Sequence, residues 1–66
     1  MRVIANGKPF DVDDGTTVAD FIRFRALDPR FVVVERNGEA VERARYDDIP
    51  LVHGDRLELV RAVAGG

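Results

Sequence analysis

The sequence is short and highly charged, with 66 residues, ten basic and twelve acidic side chains, and no cysteine. A chain of this length forms one small domain, because a second core would need roughly another hundred residues. The absence of cysteine excludes disulfides, thiol chemistry and Cys-based zinc sites. The net charge of −2 provides no electrostatic case for nucleic-acid binding, and the chain has neither an apolar run of membrane-spanning length nor a signal-peptide profile. We therefore expect a cytoplasmic protein without a nucleic-acid or membrane partner.

The first elements along the chain form a predicted β-hairpin. Two short, partly alternating segments, 1–5 and 8–12, flank Asn6-Gly7. Asn-Gly between such segments favours a type I′ turn, which needs positive φ at both central residues. Pro9 cannot donate a ladder hydrogen bond, so the second strand is expected at a sheet edge. The residues expected to face the core are Val3, Ala5, Phe10 and Val12, with Arg2 and Ile4 facing outwards.

A helix is predicted over 17–26, and Asp28-Pro29 follows it because proline disfavours a helical predecessor. Thr17 can cap the first turn. The helical period then places an apolar residue at the position of Arg25. Either the helix ends near this residue, or its aliphatic stem lies along the core. The apolar stripe consists of Val18, Phe21 and Ile22.

The second half of the chain contains two further predicted strands. Segment 31–35 is apolar and β-branched, which favours a central strand, and it leads into a second Asn-Gly turn at Asn37-Gly38. Segment 39–50 is polar and irregular, with a short strand possible over 40–42. Segment 56–60 alternates as the last strand, with Leu57 and Leu59 facing inwards. Ile49 and Leu51 are expected to form a satellite of the core.

The order β-β-α-β-(short β)-β predicts an α+β fold. We expect a β-grasp roll, in which a mixed sheet of four to five strands carries one main helix across one face. The first and last strands of such a roll pair at its centre. The predicted domain covers 1–61, and 62–66 form a predicted flexible tail.

The side chains offer no catalytic set. The chain has no serine, no cysteine and one histidine, so it lacks a nucleophile–base pair. His53 lies in a predicted turn, and we interpret it as an exposed turn residue. The acidic segment 11–15 has neither the glycine nor the glutamate spacing of a calcium loop. We therefore predict a protein that is not an enzyme and that holds no metal.

The chain end is the remaining candidate for chemistry. Gly65-Gly66 would arise by chance in about 0.5% of chains at average glycine usage, although a frayed end or a cloning scar is the alternative. Glycine has no Cβ and therefore fits a narrow channel. Extended residues 62–66 would reach roughly 15–18 Å beyond the sheet. A terminal carboxylate could thus enter another protein's active site, where adenylation by ATP would activate it.

The order of these motifs resembles the ThiS family, the ubiquitin-like sulfur carriers of thiamine thiazole biosynthesis, over essentially the whole chain. Singly the motifs are ordinary turn and strand signals. The sequence departs from the family pattern at Arg25, Glu42 and Tyr46, where the family usually or often has an aliphatic residue, proline and tryptophan. The matching motifs are Asn6-Gly7, Gly15-x-Thr17-Val18, Val33-x-x-x-Asn37-Gly38, Val41-x-Arg43, Gly54-Asp55-Arg56-Leu57-Glu58 and Ala64-Gly65-Gly66.

The resemblance implies a role for the chain end. An E1-like adenylyltransferase would use ATP to adenylate Gly66, and a sulfur-relay enzyme would convert the adenylate to a thiocarboxylate. Thiazole synthase would then take the sulfur. Gly65 and Ala64 would thread the tail into these enzymes, and the chain itself would bind no cofactor.

A docking surface beside the tail is also expected. Ile4, Val60 and Ala62 would form an apolar strip on the outer face of the sheet, although scattered exposed apolar residues are ordinary. Two other functions stay open. One is the small subunit of molybdopterin synthase or a related carrier, and the other is a non-covalent β-grasp interaction module.

Overall fold

The computed structural model describes residues 1–62, which form a five-stranded sheet with one α-helix. The sheet order is β2-β1-β5-β3-β4. β1 and β5 run parallel, and the other neighbouring strands run antiparallel. The predicted β-grasp arrangement is therefore confirmed. The elements are β1 (Arg2–Ala5), β2 (Lys8–Asp11), α1 (Val18–Phe24), β3 (Val32–Arg36), β4 (Glu39–Ala40) and β5 (Arg56–Arg61), with 3₁₀ turns at Pro29–Phe31 and Arg43–Arg45.

The strand order confirms the predicted edge and central strands, and the bounds of two strands differ from the prediction. β2, which contains Pro9, is an edge strand, because proline lacks the N–H that a second neighbour would need. β5 lies in the middle of the sheet, and β3, the segment predicted as central, has a neighbour on both sides, β5 and β4. β4 covers Glu39–Ala40 and not 40–42, because the two-residue turn returns the chain to the ladder at once. Phe31 belongs to a 3₁₀ turn whose N-cap, Asp28, accepts a hydrogen bond from Arg30 N.

The two Asn-Gly turns have the predicted geometry and also anchor β5. Asn6 and Asn37 have φ of 50° and 52°, and the glycines that follow also have positive φ. The Asn6 amide accepts a hydrogen bond from Leu59 N at 2.8 Å and donates one to Leu59 O at 3.2 Å. Asn37 Oδ1 accepts from Arg56 N at 2.9 Å. Each turn thus holds β5 from one side, which turn propensity alone does not predict.

The helix ends two residues earlier than predicted. Thr17 forms the predicted cap, in a capping box with Asp20. Ala26 then adopts φ of 60°, its N–H donates to Arg23 O, and the next N–H donates to Ile22 O. This left-handed closure stops the helix at Phe24. The guanidinium carbon of Arg25 lies 4.5 Å from the centroid of the Phe10 ring, so the side chain covers the aromatic edge of the core.

The core lies between the helix and one face of the sheet. The predicted inward residues of β1, α1 and β5 are buried, except that Leu59 is only half-buried, as are Phe10 and Val12. Leu51 is buried and Ile49 is half-buried against the same cluster, which confirms the predicted satellite. No helix among residues 1–62 is long and apolar enough to cross a membrane. The buried apolar residues are Val3, Ala5, Val18, Ala19, Phe21, Ile22, Val32, Val34, Tyr46, Leu51 and Leu57.

Asp55 is a buried charged residue that joins the start of β5 to the β3–β4 turn. It is 6% exposed and accepts hydrogen bonds from Val52 N at 2.8 Å, Asn37 Nδ2 at 3.0 Å and Arg36 Nε at 3.0 Å. Burial alone would raise the pKa of Asp55, but these hydrogen bonds outweigh burial and lower the pKa below its usual value. The ionised carboxylate therefore links the turn before β5 to the turn between β3 and β4 by hydrogen bonds.

Candidate functional site

The exit of the chain from the sheet is formed by the end of β5. This strand is held by β1 on one side and by β3 on the other. Ala62 N donates a hydrogen bond of 2.7 Å to Phe31 O, so the ladder continues one residue past the predicted domain end at 61. Ala64, Gly65 and Gly66, predicted to thread and to carry the modification, lie outside the described residues, as does most of the predicted tail.

An apolar pair lies on the outer face just before this exit. Val60 pairs in register with Val33, and the two side chains are 60% and 46% exposed. Phe31 is also exposed and lies opposite the exit, where its carbonyl binds Ala62 N. The surface around the exit is therefore more apolar than an ordinary solvated sheet face.

The predicted strip of Ile4, Val60 and Ala62 is not continuous. Ile4 lies opposite Arg56, four residues before Val60 along β5, or about 13 Å at the usual rise per residue. Ile4 and Ala62 are also half-buried. The apolar neighbour of Val60 is Val33, which sequence reasoning missed. The sequence contained a signal for Val33, because a strand that packs a helix on one face exposes every second side chain on the other.

Two acidic residues separate Ile4 from the valine pair. Glu58 lies opposite Glu35 in the β5–β3 ladder, and both side chains are exposed. Cβ atoms of directly opposite residues lie about 4.5–5.5 Å apart. The outer face thus presents an apolar pair followed by an acidic pair, which we call the Val/Glu face: Val33, Glu35, Glu58 and Val60.

The groups that could support catalysis or metal binding are dispersed. Residues 1–62 contain no group of three or more histidine, aspartate or glutamate side chains that could hold a metal. His53 is an exposed turn residue, as predicted, and its Nδ1 accepts a hydrogen bond from Arg2 N at 3.0 Å. Among the described residues, no acid–base pair lies at the end of β5.

These features define a class: a small β-grasp domain whose last strand runs through the middle of the sheet and delivers the chain at one end, beside an apolar surface. Comparison with known proteins places the chain within that class. A model of the ThiS family matches residues 2–66. The chain therefore belongs to the ThiS family, a family of small sulfur carriers of thiamine biosynthesis. The family predicted from the turn and strand motifs is confirmed.

Individual relatives agree with this assignment. The sulfur carrier protein ThiS of Bacillus subtilis is 36% identical over 53 residues, which cover 80% of each chain. The crystal structure of the thiamine biosynthesis protein ThiS from Geobacter metallireducens superposes with a TM-score of 0.78 at 32% identity, covering all of both chains.

One relative is much longer than this chain. A thiazole synthase of Magnetococcus marinus is 33% identical over 66 residues, which are 100% of this chain and 20% of that protein. The chain thus spans only a fifth of its length, so that polypeptide combines a segment similar to this whole chain with a much larger remainder.

Proposed function

We propose that this protein carries sulfur as a thiocarboxylate on Gly66. The observation that carries the proposal is the family match, which runs through Gly65-Gly66. The similarity to a protein named sulfur carrier protein ThiS supports it. The chain would act as a co-substrate of other enzymes and not as a catalyst.

The chemistry requires two nucleophilic displacements, the first at the α-phosphorus of ATP and the second at the acyl carbon of Gly66. A carboxylate oxygen of Gly66 attacks the α-phosphorus of ATP, and pyrophosphate leaves, which produces an acyl adenylate. Hydrosulfide-equivalent sulfur from a relay enzyme then attacks the acyl carbon, and AMP leaves with the former carboxylate oxygen. The product is a thiocarboxylate, which donates its sulfur to thiazole formation. ATP is bound by the activating E1-like adenylyltransferase and not by this chain.

The end of the sheet determines how far the tail can reach from the folded domain. Because Ala62 is hydrogen-bonded to Phe31, the reach of the tail is measured from a fixed point. Four further residues, 63–66, span at most about 14 Å when extended. Ala64 and the two glycines are small, so they can pass a channel that excludes the folded body. The carboxylate can therefore react inside an enzyme while the β-grasp domain stays outside.

The proposed partners are an E1-like adenylyltransferase, a sulfur-relay enzyme and thiazole synthase. The long relative from Magnetococcus marinus supports the last of these, because it is named thiazole synthase and contains a segment similar to this chain. A single polypeptide of that kind keeps the two parts at high effective concentration. We infer that this chain supplies sulfur to a thiazole synthase.

Intact-mass analysis tests the proposal. The full chain and a chain lacking Gly66 are produced in a host that supplies the activating and relay enzymes. We expect one terminal oxygen to be replaced by sulfur in the full chain only. Both chains should have the same thermal midpoint, because the core lies within residues 1–62. Sulfur loading of the shortened chain would overturn the proposal.

The acceptor enzyme identifies the pathway. Loaded protein is incubated separately with thiazole synthase and with the large subunit of molybdopterin synthase. Loss of the thiocarboxylate with thiazole synthase alone supports the thiamine role. Loss with the molybdopterin enzyme alone would leave a sulfur carrier but assign it to the other pathway.

A further inference from the structure

β2 is a free edge of the sheet, and its hydrogen bonds to β1 show which of its backbone groups point outwards. Val12 N donates to Met1 O at 2.9 Å, and the Met1 amino group donates to Val12 O at 2.8 Å. Such hydrogen-bonded pairs alternate with non-hydrogen-bonded pairs along an antiparallel ladder. Pro9 and Asp11 therefore occupy the positions of β2 whose backbone groups face away from β1.

Proline occupies one of these two outward positions. An ordinary residue at position 9 would present an N–H and a carbonyl at the edge, whereas Pro9 presents the carbonyl alone. The ladder between β2 and β1 loses no hydrogen bond through the proline, because the nitrogen of Pro9 faces away from β1. The effect of the missing donor is thus confined to the free edge, where Pro9 is exposed.

The opposite edge of the sheet, formed by β3 and β4, is closed by other contacts. β4 has only two residues, Glu39–Ala40. Beyond β4, the Tyr46 hydroxyl binds Val32 O and Val34 N. Val41 N donates to Val34 O at 2.9 Å. A short edge strand and occupied backbone groups leave little for an added strand to bind, so the edge of β2 is the one that a missing donor must protect.

We infer that the edge of β2 is a pairing site for a second copy of this chain and that Pro9 keeps this site closed. In an antiparallel pair of two β2 strands, residue 9 of each copy lies opposite Asp11 of the other. Each such pair exchanges both of its N–H···O bonds, and one of the two needs an N–H on residue 9. The unmodified chain can form only the bond that Asp11 N–H donates, so the free protein remains a monomer.

The register selects a second copy as the occupant. Around the two-fold axis of such a pair, Phe10 lies opposite its own equivalent, where two aromatic rings can contact each other. Asp11 lies opposite residue 9 and not opposite another carboxylate, so the pairing brings no like charges into direct opposition. The edge is therefore complementary to itself apart from the missing donor. β1 separates this edge from β5, and the inference does not rest on the proposed function of the chain end.

Sedimentation equilibrium at a series of protein concentrations tests the inference with Pro9→Thr in the full chain. Threonine restores the N–H and favours a strand, and the variant should stay folded because this N–H faces away from β1. The association constant of the dimer should rise by about tenfold or more, since each copy gains one N–H···O bond across the axis. Hydrogen exchange at Asp11 N–H should slow as the concentration rises. If Pro9→Thr is as monomeric as the unmodified chain, the inference is wrong.

Pro50→Thr is the matched control. Pro50 is also exposed, but it lies in an isolated bridge with Thr17, outside the five-stranded sheet. This variant makes the same exchange of side chains and should associate no more than the unmodified chain. Equal dimerisation of the two variants would contradict the inference, because it would reflect the loss of a proline ring and not the edge of β2.

Chemical synthesis of the 66-residue chain with N-methylthreonine at position 9 separates the N–H from the ring. This chain has the threonine side chain but no donor, so it should associate no more than the unmodified protein. Dimerisation as strong as that of Pro9→Thr would exclude the missing donor as the cause. Dimerisation of the unmodified chain at the same concentrations would also refute the closure. Slowed exchange elsewhere, with none at Asp11, would place the dimer contact outside β2 and refute the pairing site.

Discussion

The hydroxyl of Tyr46 donates a hydrogen bond of 2.9 Å to the carbonyl of Val32. The same oxygen accepts one of 3.2 Å from Val34 N, so one side chain satisfies two backbone groups of β3. β4 is only two residues long and pairs with the end of β3 alone. Tyr46 therefore takes the place of a strand along the rest of that edge.

Tyr46→Phe is expected to destabilise the protein by about 1–3 kcal/mol, because it leaves a buried N–H and a buried carbonyl without their partner. The ring still fills its place in the core. Urea unfolding should show a lower midpoint with an unchanged slope. An unchanged midpoint would mean that another group satisfies this edge of β3.

Asp55 makes stability depend on pH at the acidic end. Its pKa is lowered in the folded protein, so the unfolded chain binds more protons as pH falls below the ordinary value of about 3.9. The stabilisation is complete above that pH and is lost as pH falls through the lowered folded pKa.

Asp55→Asn should remove this part of the pH dependence. At neutral pH the variant should be less stable by about 1.5–3 kcal/mol, because hydrogen bonds to the charged group are lost. The difference from the unmodified protein should shrink as pH falls below the ordinary carboxyl pKa and through the lowered folded pKa, since the carboxyl becomes protonated first in the unfolded chain and then in both states. Denaturant unfolding at a series of pH values measures it. A constant difference would show that the carboxylate charge is not the cause.

Comparison of the two Asn-Gly turns with Tyr46 and Asp55 shows which parts of the fold a sequence can predict. Asn6-Gly7 and Asn37-Gly38 determine their turns locally, so the hairpins followed from adjacent residues. Tyr46 acts through backbone groups 12 and 14 residues away, and Asp55 reaches side chains 18 and 19 residues away besides its local contact with Val52 N. No local pattern predicts the distant partners.

The exposed outer face of the sheet was partly predictable, because some of its features are local to one strand and others depend on strand register. Val60 is exposed by the alternation of one strand, which a sequence shows. Its neighbour could be named only from the register, which places Val33 beside it and moves Ile4 away. The opposition of Glu35 and Glu58 also depends on register, because the two residues are distant in sequence.

Ala26 provides a test of the helix end. It adopts φ of 60°, a left-handed conformation that costs a residue with Cβ roughly 1 kcal/mol relative to glycine. Ala26→Gly should therefore stabilise the protein by about 0.5–1 kcal/mol. Ala19→Gly, the same substitution inside the buried face of α1, should destabilise it by about 1 kcal/mol. Thermal unfolding of both variants distinguishes them, and shifts of the same sign would contradict the assigned closure.

Adjacent valines of β3 distinguish the exposed face of the sheet from the core. Val33 is 46% exposed on the outer face, while Val34 is fully buried. Threonine keeps the branched shape and replaces a methyl group with a hydroxyl. Val33→Thr should change stability by less than about 0.5 kcal/mol, because its hydroxyl can remain in water. Val34→Thr should cost about 1–3 kcal/mol of stability, because its hydroxyl is buried. Chemical unfolding of the two variants checks both expectations, and equal losses of stability would contradict the assigned orientation of β3.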